Sequence, residues 1–586
     1  MFLKKTKSKN VTYLKIVESY WDKQQQKSKQ KVVVNLGRLD FLLSNGLIGI
    51  VDNLSRIVEQ ETKSSDRQIK KKSDLKDITT MKEIIKAGYG FIIYRKLWNR
   101  YDLDKFLSSI LKNKKTEFGF VSVVFSMIVN QLLSPSSKLK LWVNKDKYLK
   151  INEEIELQHY YRSLDILAEN KETIELKLFE KNCSLFNLKL DIVFYDVTTF
   201  YFESQVSDEL KDFGFDKDNK INNVHIVMGL LVDRDGKPIG YELFKGNTYE
   251  GHTLLKFIEK LKKRFQIGTI VIVADKGLNS KMNLKQIKEA GYDYIVSGRL
   301  RAMKKQVKEM VINSNDYMPL TCKELSFLDP DDKDNIFKYK VIDYENEIRY
   351  KEEPNDKKYK KIKLQEKLVC TYSSKRASKD KKDRERMLEK ANEIIMNNEK
   401  SKIENRRGHK KYVAKQYAEN INADDYKLVL NQAKIKEDEK YDGYYVLQSS
   451  RPDLQAKEII ENYHYLFKIE ESFRIMKSTM QVRPVNHWTP KRIEGHFVMS
   501  FLAFLLEREL EYRLLKNKKT KAPEKIKEAI NSMVFTKISI ENKIYYLRSN
   551  HNKLASEILA MLKIKQAGHL LNQSQLEKYM NIELQT

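Results

Sequence analysis

The apolar positions of residues 189–300 alternate between strand and helix patterns. KLDIVFYDVTTFYFE predicts one strand, INNVHIVMGLLVDRDGKPIGYELFKGN predicts two strands joined by the turn DRDGKP, and TIVIVADKG predicts an apolar strand. HTLLKFIEKLKKRF and KMNLKQIKEAG have the spacing of amphipathic helices, and YDYIVSGRL follows as a further strand. The order β-β-β-α-β-α-β predicts a mixed sheet with helices packed on it.

The regions on either side of this sheet have different patterns. Residues 11–37 are rich in β-branched and aromatic residues and predict a small strand unit, which the polar stretch EQETKSSDRQIKKKSD follows as a linker. Residues 81–182 have helical apolar spacing, and SPSS ends one of these helices. Residues 301–455 mix a charged helix with strands at KIKLQEKLVCTY and YDGYYVLQSS and predict an insertion, and the last residues of the chain are predicted to be helical and basic.

We therefore predict a mixed α/β fold in six segments. With 586 residues, of which 41% are hydrophobic, the chain is long enough for several domains and a sizeable core. The segments are a small N-terminal β unit (1–60), a helical region (75–182), the first part of the core (185–300), the insertion (301–455), the second part of the core (456–510) and a C-terminal helical region (511–586).

The stretch YHYLFKIEESFRIMK places a tyrosine, an acid and a lysine at seven-residue steps, as Tyr463, Glu470 and Lys477. On an α-helix seven residues rotate by about 700°, so the three side chains drift by only ~20° per step and share one face. Leu466 and Phe473 are predicted to lie on that face. A single acid on an apolar stripe is costly unless a partner cation or a metal compensates it.

The charge balance favours a polyanionic partner. Lys and Arg number 110 against 81 acids, which gives a net charge of +29, and nucleic acid is the default partner for such a chain. The alternative is a lysine-biased proteome, because lysine outnumbers arginine throughout.

Cysteines and apolar runs indicate the compartment. Cys183, Cys322 and Cys370 form no CxxC pair, so neither a zinc site nor a disulfide framework is expected. This use of cysteine is typical of a protein in a reducing compartment. The N-terminus MFLKKTKSKN has no apolar signal segment, and the longest apolar run, FVMSFLAFLL, is too short to span a bilayer. We expect a cytoplasmic protein with no membrane partner.

Two predicted strands each end in an aspartate. IVFYD delivers Asp196 and TIVIVAD delivers Asp275, and if the strands are neighbours the two carboxylates converge at one edge of the sheet. Such close like charges resist ionising without a cation, and Mg²⁺ prefers carboxylate oxygens. Two ions about 3.5–4 Å apart can assist phosphodiester chemistry, with Glu470 as the third carboxylate. The structural alternative is that each aspartate forms a turn or caps a helix.

Taken together, the three acidic segments resemble the DDE transposases of bacterial insertion sequences, in the RNase H-like superfamily. More narrowly, they resemble the subgroup whose third segment reads Tyr, two residues, Arg, three residues, Glu, six residues, Lys. Tyr463, Glu470 and Lys477 match this pattern, and Leu466 stands where the family often has arginine. The first segment is YDVTTF and the second is ADKG.

The resemblance implies an RNase H-like catalytic core interrupted by a partly β insertion, with a small N-terminal β unit and flanking all-α regions. It implies cleavage of DNA at the inverted repeats of a mobile element and strand transfer into target DNA, by a homodimer in the synaptic complex. The element ends would be bound within 75–182. Asp196 would bridge two Mg²⁺ or Mn²⁺ ions, and Asp275 and Glu470 would each hold one.

Four further residues are candidates for DNA binding. Lys477, about 10.5 Å along the helix from Glu470, would reach a backbone phosphate, and Arg474 lies on the same segment. Tyr463 could bond a phosphate or pack, and Trp488 could stack on an unpaired base or pack.

Two alternatives to a transposase stay open on the sequence. One is a metal-dependent nuclease of the same fold that cuts without joining. The other is a catalytically silent DNA-binding protein, which the presence of all three acids argues against.

Overall fold

A computed structural model gives the structure of most of the chain, divided into two compact units. The terminal unit comprises residues 1–181, 200–203 and 473–586, and the central unit comprises residues 182–199 and 204–472. The structure describes residues 2–8, 11–22, 25–40, 86–111, 118–149, 155–186, 192–214, 222–249, 253–254, 257, 260, 265, 270–325, 327–329, 332, 335–351, 358–398, 407–417, 426–540 and 543–585.

The strands and helices have the following bounds. The strands are β1 (Phe2–Ser8), β2 (Val11–Asp22), β3 (Lys27–Arg38), β4 (Lys86–Gly88), β5 (Ile192–Tyr201), β6 (His225–Val232), β7 (Pro238–Lys245), β8 (Val271–Ala274), β9 (Asp293–Ser297), β10 (Met318–Pro319), β11 (Phe337–Tyr350), β12 (Lys360–Ser373), β13 (Val413–Tyr417), β14 (Tyr426–Leu430), β15 (Tyr444–Ser449), β16 (Val534–Ile540), β17 (Lys543–Arg548) and β18 (Leu570–Asn572). The α-helices are α1 (Ile92–Arg100), α2 (Leu103–Ile110), α3 (Phe120–Leu133), α4 (Lys138–Val143), α5 (Leu157–Glu169), α6 (Lys171–Phe186), α7 (Lys281–Glu289), α8 (Lys305–Ile312), α9 (Ser374–Met396), α10 (Gln432–Glu439), α11 (Ala456–His464), α12 (Phe467–Arg474), α13 (Pro490–Lys516), α14 (Pro523–Asn531), α15 (Lys553–Met561) and α16 (Gln573–Gln585).

The terminal unit is built around the long helix α13. Thr489 caps this helix by accepting a hydrogen bond from the Arg492 backbone N–H, and Pro490 occupies the first turn, where its missing N–H is not needed. At Gly495 the helix lies so close to α5 that an added Cβ would be 2.0 Å from the Leu164 carbonyl oxygen. No described helix combines the length and the apolar content that crossing a membrane requires.

Two small sheets belong to the terminal unit. Strands β1, β2 and β3 form an antiparallel sheet where the sequence predicts strands, whereas the predicted linker lies outside the described residues. The prediction of a purely helical C-terminal region is wrong, because β18, β17 and β16 join β4 in a four-stranded sheet. The segment VFTKISI is short and β-branched, which favours a strand, and its partner β4 comes from the other end of the chain.

The central unit contains a nine-stranded mixed sheet of order β10-β11-β12-β15-β9-β8-β5-β6-β7. Strands β5, β8 and β9 run parallel, and β6 and β7 form the antiparallel hairpin predicted from the sequence. Strands β8 and β9 are buried throughout, as expected for parallel strands covered on both faces. The mixed α/β prediction is confirmed. The helix predicted from HTLLKFIEKLKKRF lies largely outside the described residues.

The strands of the predicted insertion extend this same sheet. The predicted strands at KIKLQEKLVCTY and YDGYYVLQSS are β12 and β15, and β15 pairs directly with β9 of the core. The buried Glu366 carboxylate on β12 accepts hydrogen bonds from Tyr294 on β9, from Asn346 on β11 and from Gln448 on β15. Core and insertion strands therefore share one hydrogen-bonded network as well as one sheet.

Strands β5 and β6 approach closely at Gly229. A Cβ added there would lie 2.4 Å from the Tyr195 hydroxyl oxygen and 3.0 Å from two of its ring carbons. The Tyr195 hydroxyl donates to Thr253 Oγ1 at 3.0 Å, and the ring stacks on Phe257. Gly229 thus makes room for the aromatic ring that precedes Asp196.

Candidate active site

The first two acids directly follow the last residue pair between two parallel strands. The last residue pair between β5 and β8 is Tyr195 with Ala274, so Asp196 and Asp275 follow in the same register. Neighbouring strands are about 4.8 Å apart, and residues in register point to the same face of the sheet. The predicted convergence of the two aspartates is therefore present in the backbone.

One detail of the predicted strand ends is wrong. Asp275 does follow the last residue of β8, but Asp196 lies inside β5, which continues to Tyr201. The residues after Asp196 are also buried and β-branched or aromatic, which favours a longer strand. The pairing between β5 and β8 ends just before the two aspartates, whereas β5 itself continues.

A tight turn fixes the Asp275 carboxylate. Its Oδ1 accepts hydrogen bonds from the backbone N–H groups of Gly277, at 2.7 Å, and of Leu278, at 3.3 Å. This is the turn role that an aspartate after a strand commonly has. Because the turn engages Oδ1, it leaves Oδ2 for another partner, so the structural role and a ligand role are compatible.

The third acid, Glu470, lies on α12 and its side chain is exposed. Leu466 and Phe473, which were predicted to share its face, are instead buried at 6% exposure each. The prediction of an acid on an apolar stripe is therefore wrong for this helix.

The reason is that residues 463–479 do not form one regular α-helix. Helix α11 ends at His464, and the backbone N–H groups of Leu466, Lys468 and Ile469 bond to carbonyls three residues earlier rather than four. Such turns advance by about 120° per residue instead of about 100°, so a seven-residue step no longer preserves the face. A π-helical turn, Ile475–Thr479, then follows α12.

The acids do not form a closed cluster. Among the described residues, no group of three or more His, Cys, Asp or Glu side chains could hold a metal ion. The structure brings Asp196 and Asp275 into register, and Glu470 does not join them in such a group. The donor set consists of carboxylates, which suits a hard cation such as Mg²⁺ or Mn²⁺.

Tyr463 packs at the aspartate edge of the sheet. Its hydroxyl oxygen lies 2.7 Å from that of Tyr445 on β15, and the two ring centroids are 5.8 Å apart. Burial raises the pKa of Tyr463, and the neighbouring Tyr445 hydroxyl and the charge of Asp275 act in the same direction. Of the two predicted roles, packing is the one for which the structure has contacts.

The other predicted DNA-binding residues belong to the terminal unit. The half-buried Lys477 lies in the π-helical turn, with its Nζ 5.8 Å from the centroid of the Phe200 ring. Arg474, the last residue of α12, is exposed. Trp488 is 68% exposed in the segment before α13, so core packing of this ring is excluded.

A cavity of about 490 Å³ that no sequence pattern predicted lies in the central unit and begins beside Asp275. Its lining includes the cations Lys276, Arg301, Arg376, Arg384 and Lys411 and the tyrosines Tyr412, Tyr441, Tyr444 and Tyr445. Lys276 comes from the core and the other residues from distant parts of the insertion, so no local sequence pattern joins them.

Most of the charge in this cavity is already neutralised. Asp438 pairs with Arg301 and with Lys411, at 2.7 Å each, and Arg384 pairs with Asp442 at 2.6 Å. Arg376 pairs with Asp380 at 3.8 Å and also stacks on the Tyr445 ring, at 4.3 Å from its centroid. Of the cations that line the cavity, Lys276 directly follows Asp275 in the chain, and Arg376 contacts Tyr445, the hydrogen-bond partner of Tyr463.

Comparisons with known proteins give the family. The model of the transposase DDE domain matches residues 187–506, and that of the N-terminal domain of IS1634 family transposases matches residues 3–86. No curated protein matches the chain. One solved structure, a cryo-EM piggyBac transposase synaptic complex with hairpin DNA, aligns over 84% of this chain and 85% of its own, at 10% identity and a TM-score of 0.34.

The chain belongs to the transposase DDE domain family, whose match covers more than half of its length. Its N-terminal segment adds that it is an insertion-sequence transposase. It is thus an enzyme of phosphodiester hydrolysis and transesterification that acts on DNA, in a family that generally uses a divalent metal.

Proposed function

We propose that Asp196, Asp275 and Glu470 are the catalytic acids with which this transposase cuts the ends of its element and joins them to target DNA. The observation that carries the proposal is the register between β5 and β8, which puts Asp196 and Asp275 on adjacent strands at the same level. Glu470 is exposed on α12 and is the third acid by its spacing from Tyr463 and Lys477.

These acids would hold two Mg²⁺ or Mn²⁺ ions. Asp196 would bridge both ions, and Asp275 and Glu470 would each hold one. When bound, such ions activate an attacking oxygen and stabilise a leaving oxygen in phosphodiester chemistry. The chain's contribution is to fix the carboxylates, and for Asp275 the bonds from Gly277 and Leu278 orient the group before any ion binds.

The same acids would serve two successive reactions. In the first, a water oxygen attacks the phosphorus at the element end, the bond to the 3′-oxygen breaks, and a 3′-hydroxyl is released. In the second, that 3′-hydroxyl attacks a phosphorus of the target DNA, so that one phosphodiester bond forms as another breaks. In-line alignment of attacking and leaving oxygens is the requirement common to both steps.

The basic residues outside the acids would hold the DNA. Lys477 would contact a backbone phosphate as a point charge and Arg474 as a planar donor. Trp488, whose ring is 68% exposed, would stack on an unpaired base. The inverted repeats would be bound within 75–182, and two copies of the chain would pair two ends.

The test uses a plasmid that carries the flanking DNA of the gene's own element. Purified protein is incubated with it in Mg²⁺ or in EDTA, and breaks and new junctions are mapped to the nucleotide. Asp275→Asn keeps an oxygen that can accept the turn hydrogen bonds, so it removes charge without removing the turn. Glu470→Gln is matched by Glu471→Gln, the adjacent acid on the same helix.

We expect breaks at the inverted repeats and joined products that require metal, are lost with Asp196→Asn, Asp275→Asn and Glu470→Gln, and survive Glu471→Gln. Loss of activity with Glu471→Gln but not with Glu470→Gln would show that Glu471, and not Glu470, is the third catalytic acid. Cleavage without joining would favour the nuclease. DNA binding without cleavage, unaffected by the substitutions, would refute the catalytic assignment.

A further inference from the structure

A small polar cavity lies in the terminal unit, whereas Asp196, Asp275 and Glu470 belong to the central unit. Its volume is about 150 Å³, and its lining comes from α3, from the turn before α4 and the first residue of α4, from α5, from residues 481–487 and from α13. Lys138, His487 and His496 contribute its basic side chains together with Arg483. None of the described residues that line it is acidic.

Lys138 is buried without a counter-ion. The residue is 3% exposed, and no described residue forms a salt bridge with its ammonium group. Burial alone lowers the pKa of Lys138, to about 8. A buried ammonium is strongly destabilising unless an anion or several hydrogen-bond acceptors compensate it.

Two histidines face the same cavity and are buried as well. The ring centroids of His487 and His496 are 5.1 Å apart. Burial lowers the pKa of His487 to about 3 and that of His496 well below its usual range, with the charge of Lys138 contributing to both. Burial and the neighbouring ammonium therefore disfavour positive charge on either ring.

The hydrogen bonds of His496 show what the cavity lacks. Its Nε2 lies 3.3 Å from the carbonyl oxygen of Val482, which requires the proton on Nε2, while the buried Nδ1 has no partner among the described residues. In the neutral ring Nδ1 is an acceptor, but protonation would make it a donor. An anion in the cavity would supply the acceptor for that donor and the missing counter-charge for Lys138.

We propose that this cavity is an anion site that binds a single phosphate group through Lys138, His487 and His496. The cavity fits one tetrahedral oxyanion and not a whole nucleotide. The phosphate group could belong to a DNA backbone or to free inorganic phosphate. The DNA source, which rests on the proposed function, is favoured because His487 is followed by the exposed Trp488, so the same loop presents an aromatic ring to solvent.

The first experiment measures anion binding by the full chain without DNA. Sodium sulfate, which stays a dianion between pH 6 and 8, and sodium phosphate are titrated by calorimetry against sodium chloride at equal ionic strength. We expect saturable binding of one sulfate or phosphate per chain. Lys138→Met should weaken it about ten- to hundredfold, the effect of losing a charged hydrogen bond, whereas Lys138→Arg should retain most of it.

The controls separate this site from general surface charge. Lys140→Met removes an exposed lysine of the same helix and should leave binding unchanged. Lys138→Met should raise the melting temperature of the anion-free protein, since it replaces an uncompensated buried charge by an apolar chain of similar length. If that variant does not fold, His487→Gln takes its place. The absence of saturable sulfate or phosphate binding beyond that of chloride would overturn the proposal. So would Lys138→Met and His487→Gln variants that both bind the anion as tightly as the wild-type protein.

A second experiment identifies the source of the phosphate. If a DNA phosphate occupies the cavity, Lys138→Met lowers the dependence of DNA affinity on salt by about one charge, and bound DNA excludes sulfate. If free phosphate is the ligand, sulfate binds equally with and without DNA. Either result upholds the anion site. Cleavage of element ends by the wild-type protein is scored separately, so failure of the anion site would leave the catalytic proposal standing.

Discussion

Replacing Gly229 by alanine tests how closely β6 packs against the strand that carries Asp196. The added Cβ would lie 2.4 Å from the Tyr195 hydroxyl oxygen, well inside van der Waals contact. Overpacking of this kind costs about 1–3 kcal/mol, while alanine recovers ~0.5–1 kcal/mol of backbone entropy relative to glycine. We therefore expect Gly229→Ala to lower the free energy of unfolding of the central unit by about 1–2 kcal/mol.

Tyr195→Phe supplies the partner for a double-mutant cycle. Alone, it removes the hydrogen bond to Thr253 and should lower stability by about 0.5–1.5 kcal/mol. In the double mutant the phenylalanine no longer carries the oxygen that the new Cβ would strike, so the loss should be smaller than the sum of the two single losses by about 1 kcal/mol. Because Tyr195 precedes Asp196, DNA cleavage should fall with Gly229→Ala and recover in part in the double mutant.

The assay must report the unfolding of the central unit. All four tryptophans lie in the terminal unit, so their fluorescence does not follow unfolding of the nine-stranded sheet. Cys370, on β12 of that sheet, is 0% exposed. Its alkylation during a urea titration, read by mass spectrometry, therefore reports opening of the sheet. A loss of stability in the double mutant that equals or exceeds the sum of the two single losses would refute the steric argument.

Three further predictions concern other described residues. Burial raises the pKa of Asp233 to about 7, against ~3.9 in an unfolded chain. The folded carboxyl therefore keeps its proton to higher pH than the unfolded one. Its contribution to the free energy of unfolding is fully present below pH ~4 and is lost as pH rises through about 7. That difference corresponds to about 4 kcal/mol, and Asp233→Asn should flatten urea midpoints measured between pH 4 and 8; an unchanged slope would contradict the burial argument. Tyr463→Phe should lower stability by about 0.5–1.5 kcal/mol through the lost bond to Tyr445 while DNA cleavage persists, and cleavage lost at unchanged stability would instead support a phosphate contact. Lys477→Met should reduce the salt slope of DNA affinity, measured by fluorescence anisotropy, by about one, with Lys477→Arg as the control that keeps it.

The sequence predicted the core strands of the nine-stranded sheet well because their signal is local. The apolar runs before Asp196 and Asp275 are characteristic of strands buried on both faces, and each ends in an acid that can be recognised without knowing the partner strand. The hairpin of β6 and β7 was equally visible, since its turn DRDGKP lies between two apolar runs. These local patterns did not show which strands pair with one another in the sheet.

The errors arose where local periodicity was extended too far or where partners were distant. The segment from Tyr463 to Lys477 was treated as one α-helix, but three tighter hydrogen bonds rotate Glu470 away from the buried face. Strand β16 pairs with β4, more than four hundred residues earlier in the chain, and no local pattern encodes such a pairing. The buried Lys138 was also unpredictable, because a lysine is ordinarily exposed.

The pairing of β15 with β9 limits how this protein can be shortened or recombined. Strand β9 pairs with β8 on one side and with β15 on the other, and all five of its residues are buried. A chain from which the insertion had been deleted would turn β9 into an apolar edge, which is a template for aggregation. The insertion is thus not a detachable module: a functional chimera must bring its own strand to cover the edge that β15 now closes.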